Sequence, residues 1–136
     1  MQNFLFEQRL ENLKTVLDSN SQAVLLTNEK NIGYFCGFFH SEGYLLVTEN
    51  GTVLFVDFRY YEAALKKSSG CRVVCFTKLF KDLISEFKNK SVVNVFFEAS
   101  DITVEKYNRF KKAFSKNNIE CVCDGSLDHK IEEIRC

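Results

Sequence analysis

Asn50-Gly51 stands between two apolar runs, 44–48 and 52–57, and no other feature limits the fold as strongly. An Asn-Gly pair accepts the positive φ angles of a tight primed turn, so the two runs are predicted to pair as an antiparallel hairpin. On the N-terminal side, Phe6, Leu10, Leu13 and Leu17 form one apolar stripe and predict a helix over 4–17. A continuous apolar run predicts a buried strand over 23–27, and a helical turn is expected at 32–36 before Gly37. After the hairpin, helix and strand periodicities alternate. Helices are expected at 60–68, at 78–88 and from a Thr103 cap onward; strands at 72–77, 92–98 and 119–123; and a last helix over 126–135. The hairpin reverses one strand, and helical crossovers make the other pairs parallel. The predicted fold class is therefore α/β: a three-layer α/β/α sandwich around a mixed sheet of five to six strands, one of them antiparallel.

A chain of 136 residues with 46% hydrophobic residues and fourteen Phe suits one domain with a substantial core. Eighteen basic and eighteen acidic residues cancel. Net charge thus gives no reason to expect nucleic acid or an anionic membrane as partner. No apolar run approaches the roughly 18–20 residues needed to span a bilayer. The early Glu7 and Glu11 do not fit a secretory signal. A cytoplasmic location is the expectation.

Six Cys raise the question of disulfides. Cys71 and Cys75, and Cys121 and Cys123, sit at even spacing within or beside expected strands, where residues share a face and cannot be joined by bending. No C-x-x-C pair is present for a zinc knuckle or redox site. The thiols are expected to be reduced and mostly buried.

The candidate chemistry is sparse. His40, in a loop flanked by Gly37 and Gly43, could serve as acid, base or ligand, or be a partly exposed turn residue. Ser41 beside it suggests a nucleophile pair only superficially, since adjacent residues rarely give a Ser–His hydrogen bond with an orienting carboxylate in line. Asp57 and Arg59 read as an ion pair or helix-start device. Tyr34, Phe35, Phe38 and Phe39 read as core plus one exposed edge. His129 beside Asp128 on the terminal helix is too little for a metal site. No phosphate loop, H-E-x-x-H or G-x-S-x-G occurs.

One ordered series carries more information. Asn31, Ile32, Tyr34, Gly37, Phe38, Ser41, Gly43, Leu45, Leu46, Val47 and Thr48 are followed by Asp57, Arg59, Tyr60 and Ala64. This series resembles the N-terminal domain of Xaa-Pro aminopeptidases, prolidases and creatinase. Arg9, Leu10 and Leu13 at the start and residues 131–135 at the end fit the same pattern. The resemblance implies a ribonuclease-H-like motif. It divides the chain into a creatinase/prolidase N-terminal-like domain over 1–125 and a terminal helix over 126–136 that leads toward a catalytic "pita-bread" domain. Asn31, Tyr34, Gly37, Gly43, Asp57, Arg59 and Tyr60 would form the structural motif. Phe38, Phe39, His40 and Ser41 would form a loop at the substrate cleft or an interface. Relatives commonly carry Thr-Gly-Ser or Arg-Gly-Ser where this chain has Phe39-His40-Ser41.

In such parents two divalent metal ions (Mn, Zn or Co) are held by the catalytic domain, which lies beyond the residues here. The resemblance therefore implies no catalytic residue, metal ligand or cofactor in this chain. Its role would be to cap the active-site cleft and mediate dimerisation. The implied partners are its own C-terminal peptidase domain, a second copy in a homodimer and the parent's peptide substrate. Two other readings stand beside this one. The chain could be a free-standing peptide- or protein-binding module, or a small enzyme centred on His40 and Asp57. An apolar patch is expected near residues 35–43 and the terminal helix.

Overall fold

The computed structural model describes residues 4–39 and 42–135; His40, Ser41 and Cys136 lie outside them. Helix α1 (Phe4–Lys14) leads into β1 (Gln22–Leu26), α2 (Glu29–Cys36) and the hairpin β2 (Tyr44–Thr48) and β3 (Gly51–Val56). Then follow α3 (Tyr61–Lys67), β4 (Arg72–Cys75), α4 (Leu79–Asn89), β5 (Asn94–Phe97), α5 (Val104–Ser115), β6 (Glu120–Val122) and α6 (Ser126–Arg135).

The six strands lie in the order β4-β3-β2-β1-β5-β6. Only β2 is reversed, antiparallel to both neighbours, and the remaining pairs are parallel. The hairpin forms as expected, with Tyr44 opposite Phe55, but Thr48 pairs with Gly51, so Glu49 and Asn50 are the two turn residues, Gly51 opens β3, and Asn50 does not take a positive φ. Gly51 has φ 145°, and the Thr48 hydroxyl closes the turn by donating to the Gly51 carbonyl at 3.0 Å.

Strand alternation divides the core. Val24, Leu26, Leu45, Val47, Leu54 and Val56 face the side covered by α1, α2, α3 and α6. Ala23, Leu25, Leu46, Val53, Phe55, Val95 and Phe97 face α4 and α5. That second layer is aromatic: Phe114 makes edge contacts with Phe87 at 5.0 Å and Phe110 at 5.7 Å between ring centres. Such pairings add to what burial alone supplies.

Two helices differ from expectation. Helix α1 stops at Lys14 instead of 17, because Thr15, Val16 and Leu17 bond to carbonyls three residues back and tighten the chain. Leu17 stays buried regardless. Helix α2 is eight residues long, not one turn. Asn28 caps it, its side chain accepting from the Asn31 N–H at 3.0 Å, and Gly37 ends it with φ 86°. The five described cysteines carry free thiols. Only Cys36 is buried: Cys75 is exposed and Cys71, Cys121 and Cys123 are half-buried, so the thiols are less enclosed than expected. The short β4 and β6 are the two edges of the sheet and leave those side chains partly uncovered. The Cys71 side chain hydrogen-bonds Cys36, and together with burial this holds the Cys36 thiol protonated.

No helix among the described residues is long and apolar enough to cross a membrane.

Candidate functional site

The carboxyl ends of the five co-directional strands share one end of the sheet with the loop 37–43 that enters β2. Open α/β sheets bind ligands at this end. Gly37 sets the loop's departure. A Cβ built there would meet the Lys67 carbonyl oxygen at 3.0 Å and the Phe6 ring at 3.2 Å, in a backbone conformation that L side chains avoid. Gly37→Ala should therefore destabilise the chain by about 1–3 kcal/mol in urea titrations, and an unchanged midpoint would contradict this account.

Phe38 turns inward and is buried, packing toward Gly43. Phe39 turns outward, and its ring fills the space that a Cβ at Gly33 would need. Gly33 in α2 is therefore a seat for an aromatic ring. Phe39 is 62% exposed, and Phe58, in the loop leaving β3, is 80% exposed. The Tyr44–Phe55 register places both loops at the same end of the hairpin. The expected apolar patch does not continue onto α6, where Leu127 and Ile131 are buried in the core and no large hydrophobic side chain is exposed. Amphipathic spacing puts that helix's stripe into the sheet and leaves only its polar side out.

Asp57, Arg59 and Tyr60 form a local device at the start of α3. The Asp57 carboxylate accepts from the Arg59 backbone N–H at 2.9 Å and from its guanidinium at 2.6 Å. The hydrogen bond from Asp57 raises the Arg59 pKa further. Arg59 also lies 4.9 Å from the centre of the Tyr60 ring. This is the Asx-turn logic of a carboxylate bonding its own backbone two residues on.

Asn31 and Tyr34 belong to a longer network that sequence reading missed. Glu98, at the end of β5, is buried, and one of its oxygens accepts from the Thr27 N–H at 2.6 Å and the Asn28 N–H at 3.2 Å. Its other oxygen accepts from the Asn31 amide at 2.7 Å, and the Asn31 carbonyl oxygen accepts from Arg135 at 2.9 Å. Burial pushes the Glu98 carboxyl above its ordinary value, against the bonds from Asn31, Thr27 and Asn28. Tyr34 is flanked by two guanidinium groups, Arg9 at 3.9 Å and Arg135 at 4.8 Å from the ring centre. Arg9 also donates to the Tyr34 carbonyl at 2.8 Å. The motif residues thus tie α1, α2, β5 and α6 together.

Asp128 of α6 bonds the Ala99 and Ser100 N–H groups at 2.6 and 2.9 Å. Desolvation alone would raise its pKa, but these bonds together hold it below the ordinary range. Beside Asn31, Asp128 and Arg135 lies a cleft of about 580 Å³.

This arrangement joins elements and presents aromatic rings. Among the described residues it brings no nucleophile together with a base; His40 and Ser41 lie outside them. Among the described residues no three His, Cys, Asp or Glu side chains are grouped to hold a metal ion, so the two-metal centre implied by the resemblance does not fit here. Among the described residues the His129 ring pairs with Glu133, at 3.4 Å, on an exposed helix face.

Comparison with known proteins places this arrangement. Over 59 residues the chain is 39% identical to a Mycoplasma genitalium protein assigned as an Xaa-Pro aminopeptidase, covering 43% of this chain and 17% of that protein. It superposes on the N-terminal domain of the cytoplasmic peptidase PepQ from Mycobacterium tuberculosis with a TM-score of 0.79 and 26% identity, covering 94% of this chain and 98% of that one. With an Xaa-Pro dipeptidase from Bacillus anthracis the TM-score is 0.80 at 24% identity, a likeness of fold over 93% of this chain and 35% of that one. The chain spans about a third of that dipeptidase. The Creatinase/Prolidase N-terminal domain family matches residues 9–136, and the chain belongs to it.

Proposed function

We propose that this chain is the non-catalytic N-terminal domain of an Xaa-Pro peptidase, an aminopeptidase or dipeptidase-like metallopeptidase. Its part is to cover the cleft of the catalytic domain and to supply contact between two copies. The parent would hold two divalent metal ions (Mn, Zn or Co) in its C-terminal peptidase domain, act on peptides with a penultimate proline and work in the cytoplasm, as the PepQ likeness suggests. Helix α6, anchored through Asp128 and Arg135, would lead the chain toward that domain.

The observation that carries this reading is the pair of exposed aromatic side chains, Phe39 and Phe58, on two loops at one end of the hairpin. Rings held out of a core in this way are characteristic of surfaces covered by another domain or subunit. Replacing both in the full-length protein, Phe39→Ser with Phe58→Ser, should weaken self-association at least about tenfold in light-scattering titrations. Folding stability should change by less than about 1 kcal/mol, as for other exposed positions. Self-association at wild-type strength would overturn the interface role.

A further inference from the structure

On the face covered by α4 and α5, a cleft of about 520 Å³ opens where the first turns of the two helices meet the start of β2. Its floor is aromatic. Tyr44 and Phe80 meet Phe110 edge-on, at 6.0 and 5.2 Å between ring centres. Phe110 is buried, and the other two rings are partly open to the cleft. Its walls are cationic: Lys78 and Lys81 stand on the α4 side, Lys106 and Arg109 on the α5 side.

No acidic residue lines the cleft. No ion pair among the described residues engages any of the four cations. Lys106 instead lies 5.3 Å from the centre of the Tyr44 ring. Glu42 is the acidic group felt from nearby, raising the Tyr44 phenol after burial has done so, while Arg109 opposes it. Lys78 occupies the N-cap of α4 without a capping side-chain bond, and Asp82 in the first turn of that helix accepts from the Thr77 N–H at 3.1 Å, so the cleft's positive character comes from its side chains and not from the helix end. In a chain whose charges cancel overall, four cations around one cleft, none of them held in a close ion pair, make a local field that attracts anions, even with Asp82 and Glu105 on the same first turns.

Size, floor and walls act on different parts of a ligand. The volume is that of a small-molecule site. The rings offer stacking and apolar contact to a planar group, and the four cations suit several closely spaced negative charges. An acidic peptide would satisfy the cations but would leave the aromatic floor without a matching group. We propose that this cleft binds a nucleoside polyphosphate, its base against Tyr44 and Phe80 and its phosphates among Lys78, Lys81, Lys106 and Arg109.

The test is a titration of the chain with ATP, followed by calorimetry and amide NMR, with tripolyphosphate and hexaglutamate run in parallel. ATP should bind and shift the amides of Tyr44, Lys81 and Arg109. Tripolyphosphate should bind more weakly for want of a ring, and ATP affinity should fall as salt rises. Lys81→Ala and Arg109→Ala alter exposed side chains, so both variants should keep the wild-type circular dichroism spectrum. Each should weaken ATP binding by about tenfold. Four results would each overturn the proposal: no shifts at millimolar ATP, unchanged affinity in both folded variants, tripolyphosphate binding as well as ATP, or hexaglutamate binding where ATP does not. The last would reassign the cleft as a docking site for an acidic protein segment.

Discussion

Phe114→Ala should cost about 3–5 kcal/mol of folding stability, the range for removing a fully buried aromatic side chain. Phe114 has no exposed surface and stands at the centre of the layer between the sheet and α4 and α5, with Phe80, Phe87, Phe97 and Phe110 around it. With three of these rings edge-on to Phe114 and Phe97 tilted against it, no side chain is free to swing into the gap, so the cavity persists. The loss is a large share of the roughly 5–15 kcal/mol that holds a domain of this size together. Urea unfolding should show a lower midpoint with an unchanged slope. Phe58→Ala is the matched control: the ring is 80% exposed, and its removal should change stability by no more than about 0.5 kcal/mol. Equal losses in the two variants would mean that the aromatic layer is not packed as described.

Glu98→Ala should cost about 2–5 kcal/mol by another route, because it leaves the Thr27 and Asn28 N–H groups and the Asn31 amide without an acceptor. Glu98→Gln separates geometry from charge. The amide oxygen could keep the two backbone bonds, but the new NH2 would face the Asn31 NH2. Flipping Asn31 would repair that contact and set its NH2 against Arg135, so one bond is lost either way.

The pH dependence has a definite sign. Burial raises the Glu98 pKa in the folded chain above the ordinary value of about 4.3, so its contribution is complete below that value. It is then lost as pH rises through the folded value. The stability advantage of wild type over Glu98→Gln should therefore be larger at acid pH than at neutral pH. Paired denaturation curves check this, and an advantage that grows toward neutral pH would contradict the assignment. Asp128, the nearby carboxylate that adds to the rise, is common to both proteins, so only its coupling to Glu98 enters the difference, and that coupling has the same sign.

These two residues were unequally legible in the sequence. Phe114 was readable because Tyr107, Phe110, Ala113 and Phe114 recur at helical spacing behind a Thr103 cap, and that cap does accept from the Lys106 N–H at 3.1 Å; Val104, expected in the same buried stripe, is instead exposed in the first turn. The hairpin was readable for the same kind of reason, since Asn50-Gly51 marks a local reversal between two apolar runs, although the turn residues proper are Glu49 and Asn50. Glu98 was not readable. Its partners lie 67 to 71 residues away, and a lone Glu at the end of an apolar run looks like a solvated strand end. Helix α2 was under-read because Glu29, Lys30 and Asn31 carry no apolar spacing, and Asn28 could equally begin a turn. The cationic cleft draws on residue 44, residues 78–81 and residues 106–110, which only the sheet order brings together. An exposed edge was legible in the aromatic group Tyr34, Phe35, Phe38 and Phe39, but not that Phe39 is that edge or that it sits on Gly33, since both depend on how α2 ends.

The central claim is that this chain works as one domain of a larger Xaa-Pro peptidase. The most direct test is the mass of the native polypeptide in its source cell, detected with an antibody to this domain and followed by metal-dependent cleavage of an Xaa-Pro peptide by the purified species. The account predicts a polypeptide about three times heavier than this chain's 15.8 kDa, since the chain covers 35% of the Bacillus dipeptidase, and predicts that it cleaves the peptide. A sole species at 15.8 kDa, or a heavier one that leaves the peptide intact with Mn, Zn or Co supplied, would contradict it.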